Sequence, residues 1–163
     1  MSVTIPESPV TLDRNTQMIA GADQYSVALL NSAVAWWFLK ATSTDLSGGF
    51  LQAHNYNQFS IPVPAASESQ TSIAIILVNV ICEGISRPEY ERLLNGLVYE
   101  LFFPEDLHAK NIRLFDACAA AGIRAGMDAT AVAALIFRND HPIYGMLFDL
   151  RALEVVRIIE SLE

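Results

Sequence analysis

Residues 86 to 104 confine the fold more tightly than any other stretch, because a helix start, a continuous apolar face and a helix stop follow one another there. Ser86-Arg87-Pro88-Glu89 fits a capping box, in which the Ser86 hydroxyl and the Glu89 carboxylate satisfy backbone donors that a first turn leaves orphaned. Tyr90, Leu93, Leu94, Leu97, Val98, Leu101 and Phe102 then recur at helical spacing, and Pro104 ends the run. So broad an apolar face must lie against other elements, and the rest of the chain has to supply them.

The neighbouring patterns do so. The apolar run Ile73 to Cys82, interrupted by Asn79, suits a buried strand or a buried helix; with its flanks it reaches about three turns, which favours the helix. Ala65 to Thr71 reads as a surface connection before it. A third helix is expected over residues 105–121, ending at Gly122. A fourth follows Asp128, a suitable N-cap, and runs to about Asn139; a fifth spans about residues 149–162 after a break at His141-Pro142. The fold class that follows is α+β, mostly α, with a small mixed N-terminal part packed on a C-terminal helical bundle. The expected division is residues 1–66 and residues 67–163.

In the N-terminal part, Leu29, Leu30, Ala33, Val34, Trp37 and Phe38 share one helical face, with Tyr25 one turn earlier and Asp23 placed to cap. Trp36 and Trp37 are adjacent, so one narrow stripe cannot bury both; Trp37 falls on the apolar face and Trp36 beside it. Asp45-Leu46-Ser47-Gly48-Gly49 breaks the helix, since a glycine pair permits backbone angles that other residues resist. Phe50 to Phe59 then brings together Gln52, His54, Asn55, Asn57 and Gln58, and Ile61-Pro62-Val63-Pro64 closes the stretch against helix or central strand.

Leu30-Asn31-Ser32, Trp36-Trp37, Gly48-Gly49-Phe50 and Ile61-Pro62-Val63-Pro64 stand in an order that resembles the C-terminal target-recognition segment of TaqI-like adenine-specific DNA methylases and the related type II restriction-modification enzymes. In that family an aromatic helix with a Leu-Asn-Ser motif is followed by glycines with an aromatic, a short variable segment and a Pro-Ile-Pro-like end. Thr11 to Thr16 is similar to the extended segment before the helix, and Leu97-Val98-Tyr99-Glu100-Leu101 to the family's closing helix. The resemblance covers about residues 10 to 103, with gaps. Asn57-Gln58-Phe59-Ser60 departs from it, because the family often carries an acidic residue and a leucine there.

The resemblance implies a partial target-recognition segment over residues 1–66 that selects a DNA sequence. Amide side chains can donate and accept together at an adenine edge, and histidine can donate to guanine, so Gly48, Gly49, Phe50, Gln52, His54, Asn55 and Asn57 are the candidate DNA-contacting residues. The same composition also suits a surface hairpin whose amides bond to local backbone. No catalytic constellation accompanies them. An adenine methylase of this family would need an Asn or Asp before Pro-Pro and an aromatic, and a glycine-rich loop for S-adenosylmethionine; the chain has neither. Lys40 and Lys110 lie in no carboxylate cluster of the kind a nuclease uses. The expectation is therefore a chain that is not itself an enzyme and holds no cofactor or metal, with S-adenosylmethionine bound by the parent enzyme.

Charge limits how such a segment could work. The net charge is -8, with Arg14 and Lys40 against five acids up to residue 70 and eight basic residues against thirteen acids beyond. Phosphate neutralisation supplies most non-specific affinity, so this chain alone should hold DNA poorly and would read it beside a methylase domain. The alternative is a helical protein-interaction module, or a homo-oligomer, joined through apolar helices. Apolar residues make up 52% and charged residues 17%, which suits a large core. No run approaches the about 20 apolar residues of a membrane span, and Met1 to Pro9 does not read as a signal peptide, so a cytoplasmic protein is expected. Cys82 and Cys118 read as reduced core residues, His108 as a surface residue near Glu105, and His141 as a turn residue.

Overall fold

The helix with the clearest sequence pattern is the centre of the structure. The computed structural model describes residues 22–46, 50–52, 60–82, 88–136 and 140–161. Helix α4 (Pro88–Phe102) closes Tyr90, Leu93, Leu97, Val98 and Tyr99 off from solvent. It touches α1 (Gln24–Leu30), α2 (Ala33–Thr42), α3 (Glu68–Cys82), α5 (Pro104–His108), α6 (Leu114–Ala120) and α8 (Pro142–Leu150). The Tyr90 hydroxyl donates to the Ala129 carbonyl at the start of α7 (Ala129–Ile136). Helix α9 (Glu154–Glu160) lies on α2. Between α2 and α3, strands β1 (Thr44–Leu46) and β2 (Phe50–Gln52) pair antiparallel, with Thr44 opposite Gln52 and Leu46 opposite Phe50. The protein is thus mostly α, with a small mixed N-terminal part on a helical bundle.

One cluster of buried apolar residues runs from Tyr25 in α1 to Ile159 in α9, and each Leu or Ile fully buried in it contributes about 1.5–3 kcal/mol. Gly96 lets α6 and α8 approach α4. A Cβ at that position would stand 2.6 Å from Leu114 Cδ1 and 3.1 Å from Leu147 Cδ2. A second, smaller cluster joins Ala35 and Leu39 of α2 to Ile61, with Leu30 and Phe38 against it.

The helices are shorter than the apolar periodicity predicts, and polar residues make the difference. The expected single helix from Tyr25 to Phe38 is two helices, broken at Asn31-Ser32. Asp23 caps α1, accepting from Ser26 N at 2.8 Å. Ser32, buried, then caps α2: its Oγ accepts from Ala35 N at 3.2 Å and donates to the Leu29 carbonyl at 2.6 Å. Asn95 of α4 takes the Ala33 N–H at 2.9 Å, so the joint is also pinned to the bundle centre. Helix α2 stops at Thr42, before the Asp45 to Gly49 stretch expected to break it, because Ser43 is already extended.

Beyond Pro64 polar residues again set the helix ends, first by lengthening a helix. Ile73 to Cys82 is helical, as its length suggests, but α3 starts at Glu68 inside the expected connection. Ser67 and Gln70 form a reciprocal capping box there, at 2.9 and 3.3 Å. Ser86, in the box expected for α4, lies outside the described residues. Pro104 ends α4 and opens α5 as its first residue, where its missing N–H has no intrahelical bond to lose. The expected helix over 105–121 is interrupted because Asn111 takes a left-handed conformation (φ 58°). Asn111 N reaches the His108 carbonyl and Ile112 N the Leu107 carbonyl, the Schellman pattern of a helix end. Gly122 (φ 83°) closes α6 in the same way, through the Ala119 and Cys118 carbonyls.

Asp128 caps α7, accepting from Ala131 N at 2.8 Å, and the helix is described to Ile136; the expected end near Asn139 lies outside the described residues. His141-Pro142 opens α8 instead of merely breaking a helix: His141 Nδ1 accepts from Ile143 N at 3.3 Å and Pro142 is the first helical residue. The fifth helix expected over about residues 149–162 is α9, which begins at Glu154 after a turn at residues 151–153, and α8 is a further helix that the periodicity did not predict. Among the described residues, no helix is long and apolar enough to cross a membrane.

Candidate nucleic-acid interface

The polar stretch singled out in the sequence starts and finishes on one helical platform. Helix α2 ends at Thr42, Ser43 is extended, and β1 begins at Thr44. On the return, Ile61 is buried against Ala35 and Leu39 of α2. Three residues later the Tyr25 hydroxyl donates to the Pro64 carbonyl at 3.2 Å. Pro62 and Val63 lie exposed between these two fixings, Val63 at 73%. Gln24 Nε2 in turn donates to Asn79 Oδ1 at 2.6 Å, so the helix that carries Tyr25 is tied to α3.

Of the candidate contacts, Phe50 and Gln52 have their backbone in β2, paired to Leu46 and Thr44. Gly48, Gly49, His54, Asn55 and Asn57 lie outside the described residues, as do the side chains of Phe50 and Gln52. Leu30-Asn31-Ser32, one of the motifs behind the resemblance, is the joint between α1 and α2, its serine turned inward as a cap. Trp37 packs partly buried on the main cluster, whereas Trp36 faces Lys40, whose Nζ stands 5.4 Å from the ring centroid.

Two titrating groups sit at this platform. The backbone N–H and hydroxyl of Ser26 hold the Asp23 carboxyl below its usual range. Burial, and then the Asp23 charge, push the Tyr25 phenol above its ordinary value of 10.0. The neutral phenol is the form the fold favours, and a phenolate could not donate to Pro64. Its stabilisation is thus complete below pH 10 and is lost as the pH rises through the folded-state value. Tyr25→Phe is expected to cost about 1 kcal/mol at neutral pH by urea unfolding, and the gap to the native chain should close in strong alkali. A gap that stayed constant with pH would sink this account.

The second polar centre was missed in the sequence. Glu100 on α4 is buried at 5% exposure. Its Oε1 lies 3.0 Å from His108 Nε2 on α5, and its Oε2 accepts from Phe115 N in the first turn of α6 at 3.0 Å. Helix α6 has no side-chain cap of its own at Arg113, and Glu100 supplies one from a neighbouring helix. His108 is thus half-buried and paired, not the surface residue expected. The sequence signal was a glutamate on the apolar side of a helix, with Leu97 three residues before it.

Cys118 is fully buried nearby, its thiol pushed up to about 12 by burial first and the Glu100 charge second, so at neutral pH it is a core residue and not a nucleophile. Cys82, expected in the core, is exposed at the end of α3; both thiols are free. Tyr99 adds a longer contact, its hydroxyl 3.4 Å from Glu160 Oε1 on α9. Among the described residues no group of three or more His, Cys, Asp or Glu side chains is gathered to hold a metal ion. No family model, curated protein or solved structure matches the chain.

Proposed function

We propose that the chain is a non-catalytic DNA sequence-recognition segment of an adenine-specific methylase or restriction-modification system, working in the cytoplasm. It selects the site while a separate methylase domain, holding S-adenosylmethionine, transfers the methyl group. The observation that carries the reading is that the chain leaves α2 at Ser43 and returns to the α1–α2 platform at fixed points, Ile61 against Leu39 of α2 and Pro64 on Tyr25 of α1. A polar segment tethered at both ends to packed helices can keep one orientation against a duplex, which base readout requires. The charge of -8 makes the partner domain a condition of function, because this chain has few cations with which to hold phosphates.

The test supplies that missing function. Joined to a sequence-neutral basic DNA-holding domain, the chain is expected to enrich a defined motif from a randomised duplex library. Replacing Gln52, His54 and Asn55 together by alanine is expected to erase the motif while retaining duplex binding. Enrichment no different from the holding domain alone would refute the reading.

A second reading, a helical protein-interaction module or homo-oligomer, is favoured by one observation. Phe148 is 76% exposed on α8, with Tyr144, also exposed, one turn earlier. It expects a concentration-dependent assembly in sedimentation velocity that Phe148→Asp removes. The recognition reading expects the library result to be unaffected by that substitution.

A further inference from the structure

Trp36 is a partly buried indole that packs on neither hydrophobic cluster. Among the described residues it belongs to neither buried cluster and is not among the side chains packed on them, whereas its neighbours Trp37 and Phe38 are. Its ring lies instead under the Lys40 ammonium, one turn on, at 5.4 Å from the centroid. Lys40 is in the last turn of α2, where the carbonyl end of the helix favours a cation. Thr44 opens the hairpin four residues later. Among the described residues from 22 to 82, Lys40 is the one Lys or Arg. In a platform otherwise without cations, the single positive charge is thus held at the edge from which the hairpin departs.

We propose that Lys40 and Trp36 form a contact pad for the sugar-phosphate backbone of duplex DNA, flanking the hairpin; this rests on the recognition reading above. Lys40 takes one phosphate oxygen. Trp36 is a positioning residue, which holds the lysine stem and lays its apolar face toward the adjoining deoxyribose. The pad carries no sequence information. It fixes the height and register at which the hairpin meets the groove, as backbone contacts do in DNA readers generally. A single phosphate contact also fits an acidic chain that depends on a partner domain for most of its hold on DNA.

The experiment uses the full 163-residue chain and a short labelled duplex of arbitrary sequence, titrated by fluorescence anisotropy over a low-salt series. The native chain is expected to bind weakly, with log Kobs falling as log salt rises. Lys40→Gln should reduce that slope by about 0.9, the signature of one phosphate lost. Trp36→Leu should weaken binding about two- to fivefold, the lower range of a cation-π contact, at this partly exposed site. Because the tryptophan acts through the lysine, the double variant should lose less than the product of the two single losses. Arg124→Gln, in the exposed turn before α7, should leave the slope alone.

Circular dichroism of each variant checks that the helices persist. A complex whose slope is the same with and without Lys40 overturns the pad and leaves the recognition reading standing. Independent losses in the double variant overturn the positioning role of Trp36. The absence of any complex at the lowest salt overturns the pad, whereas the recognition reading is decided by the motif library with the holding domain attached.

Discussion

Gly96→Leu is expected to abolish the native fold, and Gly96→Ala to weaken it by about 1 kcal/mol. Two effects compete in the alanine variant. Glycine in a helix interior is about 1 kcal/mol less favourable than alanine, so backbone propensity alone would make the substitution stabilising. The added methyl would, however, meet Leu114 Cδ1 at 2.6 Å and Leu147 Cδ2 at 3.1 Å. Leu114 is fully buried, so its methyl has little room to retreat. Overpacking of this kind costs about 1–3 kcal/mol, which exceeds the propensity gain.

Leucine adds three further carbons where α4, α6 and α8 already crowd the Cβ position. For a chain of this length each kcal/mol lowers the melting temperature by roughly 2–4 °C. Urea midpoints at unchanged slope measure the alanine effect. A more stable alanine variant would mean that Leu114 moves freely, contrary to this packing.

Glu100→Ala is expected to cost about 2–3 kcal/mol, and Glu100→Gln about 1. The carboxyl serves α5 through His108 and α6 through Phe115 N at the same time. Alanine leaves a buried backbone N–H without its acceptor and His108 without its partner. His108 is 34% exposed and can turn to water, which keeps the loss below that of a fully buried pair. Glutamine retains an oxygen for Phe115 N. Thermal melts of the two variants should therefore fall in that order, and amide exchange in the first turn of α6 should quicken in the alanine variant only. Equal losses in the two would mean that the oxygen on Phe115 N contributes nothing. Cys118 should remain unreactive to thiol reagents in both, since burial and not the Glu100 charge is the larger cause of its raised value.

Much of the fold was legible because apolar periodicity survives any later adjustment of helix ends. The face from Tyr90 to Phe102, the run from Ile73 to Cys82 and the caps at Asp23 and Asp128 all read directly from residue spacing. What escaped were joints made by residues that can either continue a helix or end it. Ser32 and Asn111 are such residues, and only their tertiary bonds or left-handed geometry decide. The Ser67-Gln70 box was present in the sequence and was obscured by its small, polar surroundings. Glu100 was hidden for a different reason: its partners lie 8 and 15 residues away, beyond any helical spacing. At the candidate interface the frame was legible in the prolines and the aromatic helix. The joint at Leu30-Asn31-Ser32 was not, because a motif names residue types and not the backbone angle between them.

The many short helices carry a consequence for how this protein tolerates change. Every helix end leaves backbone donors or acceptors to be satisfied, and here Asp23, Ser32, Ser67, Glu100, Asp128 and His141 are committed to that task. Drift that exchanges one aliphatic residue for another inside the large shared core can be absorbed by repacking. Drift at a capping residue to a side chain that cannot accept costs about 0.5–2 kcal/mol, which aliphatic repacking does not recover. Relatives of this protein would then be known less by a shared apolar pattern than by a sparse set of hydroxyls, carboxyls and one imidazole at the corners of the bundle.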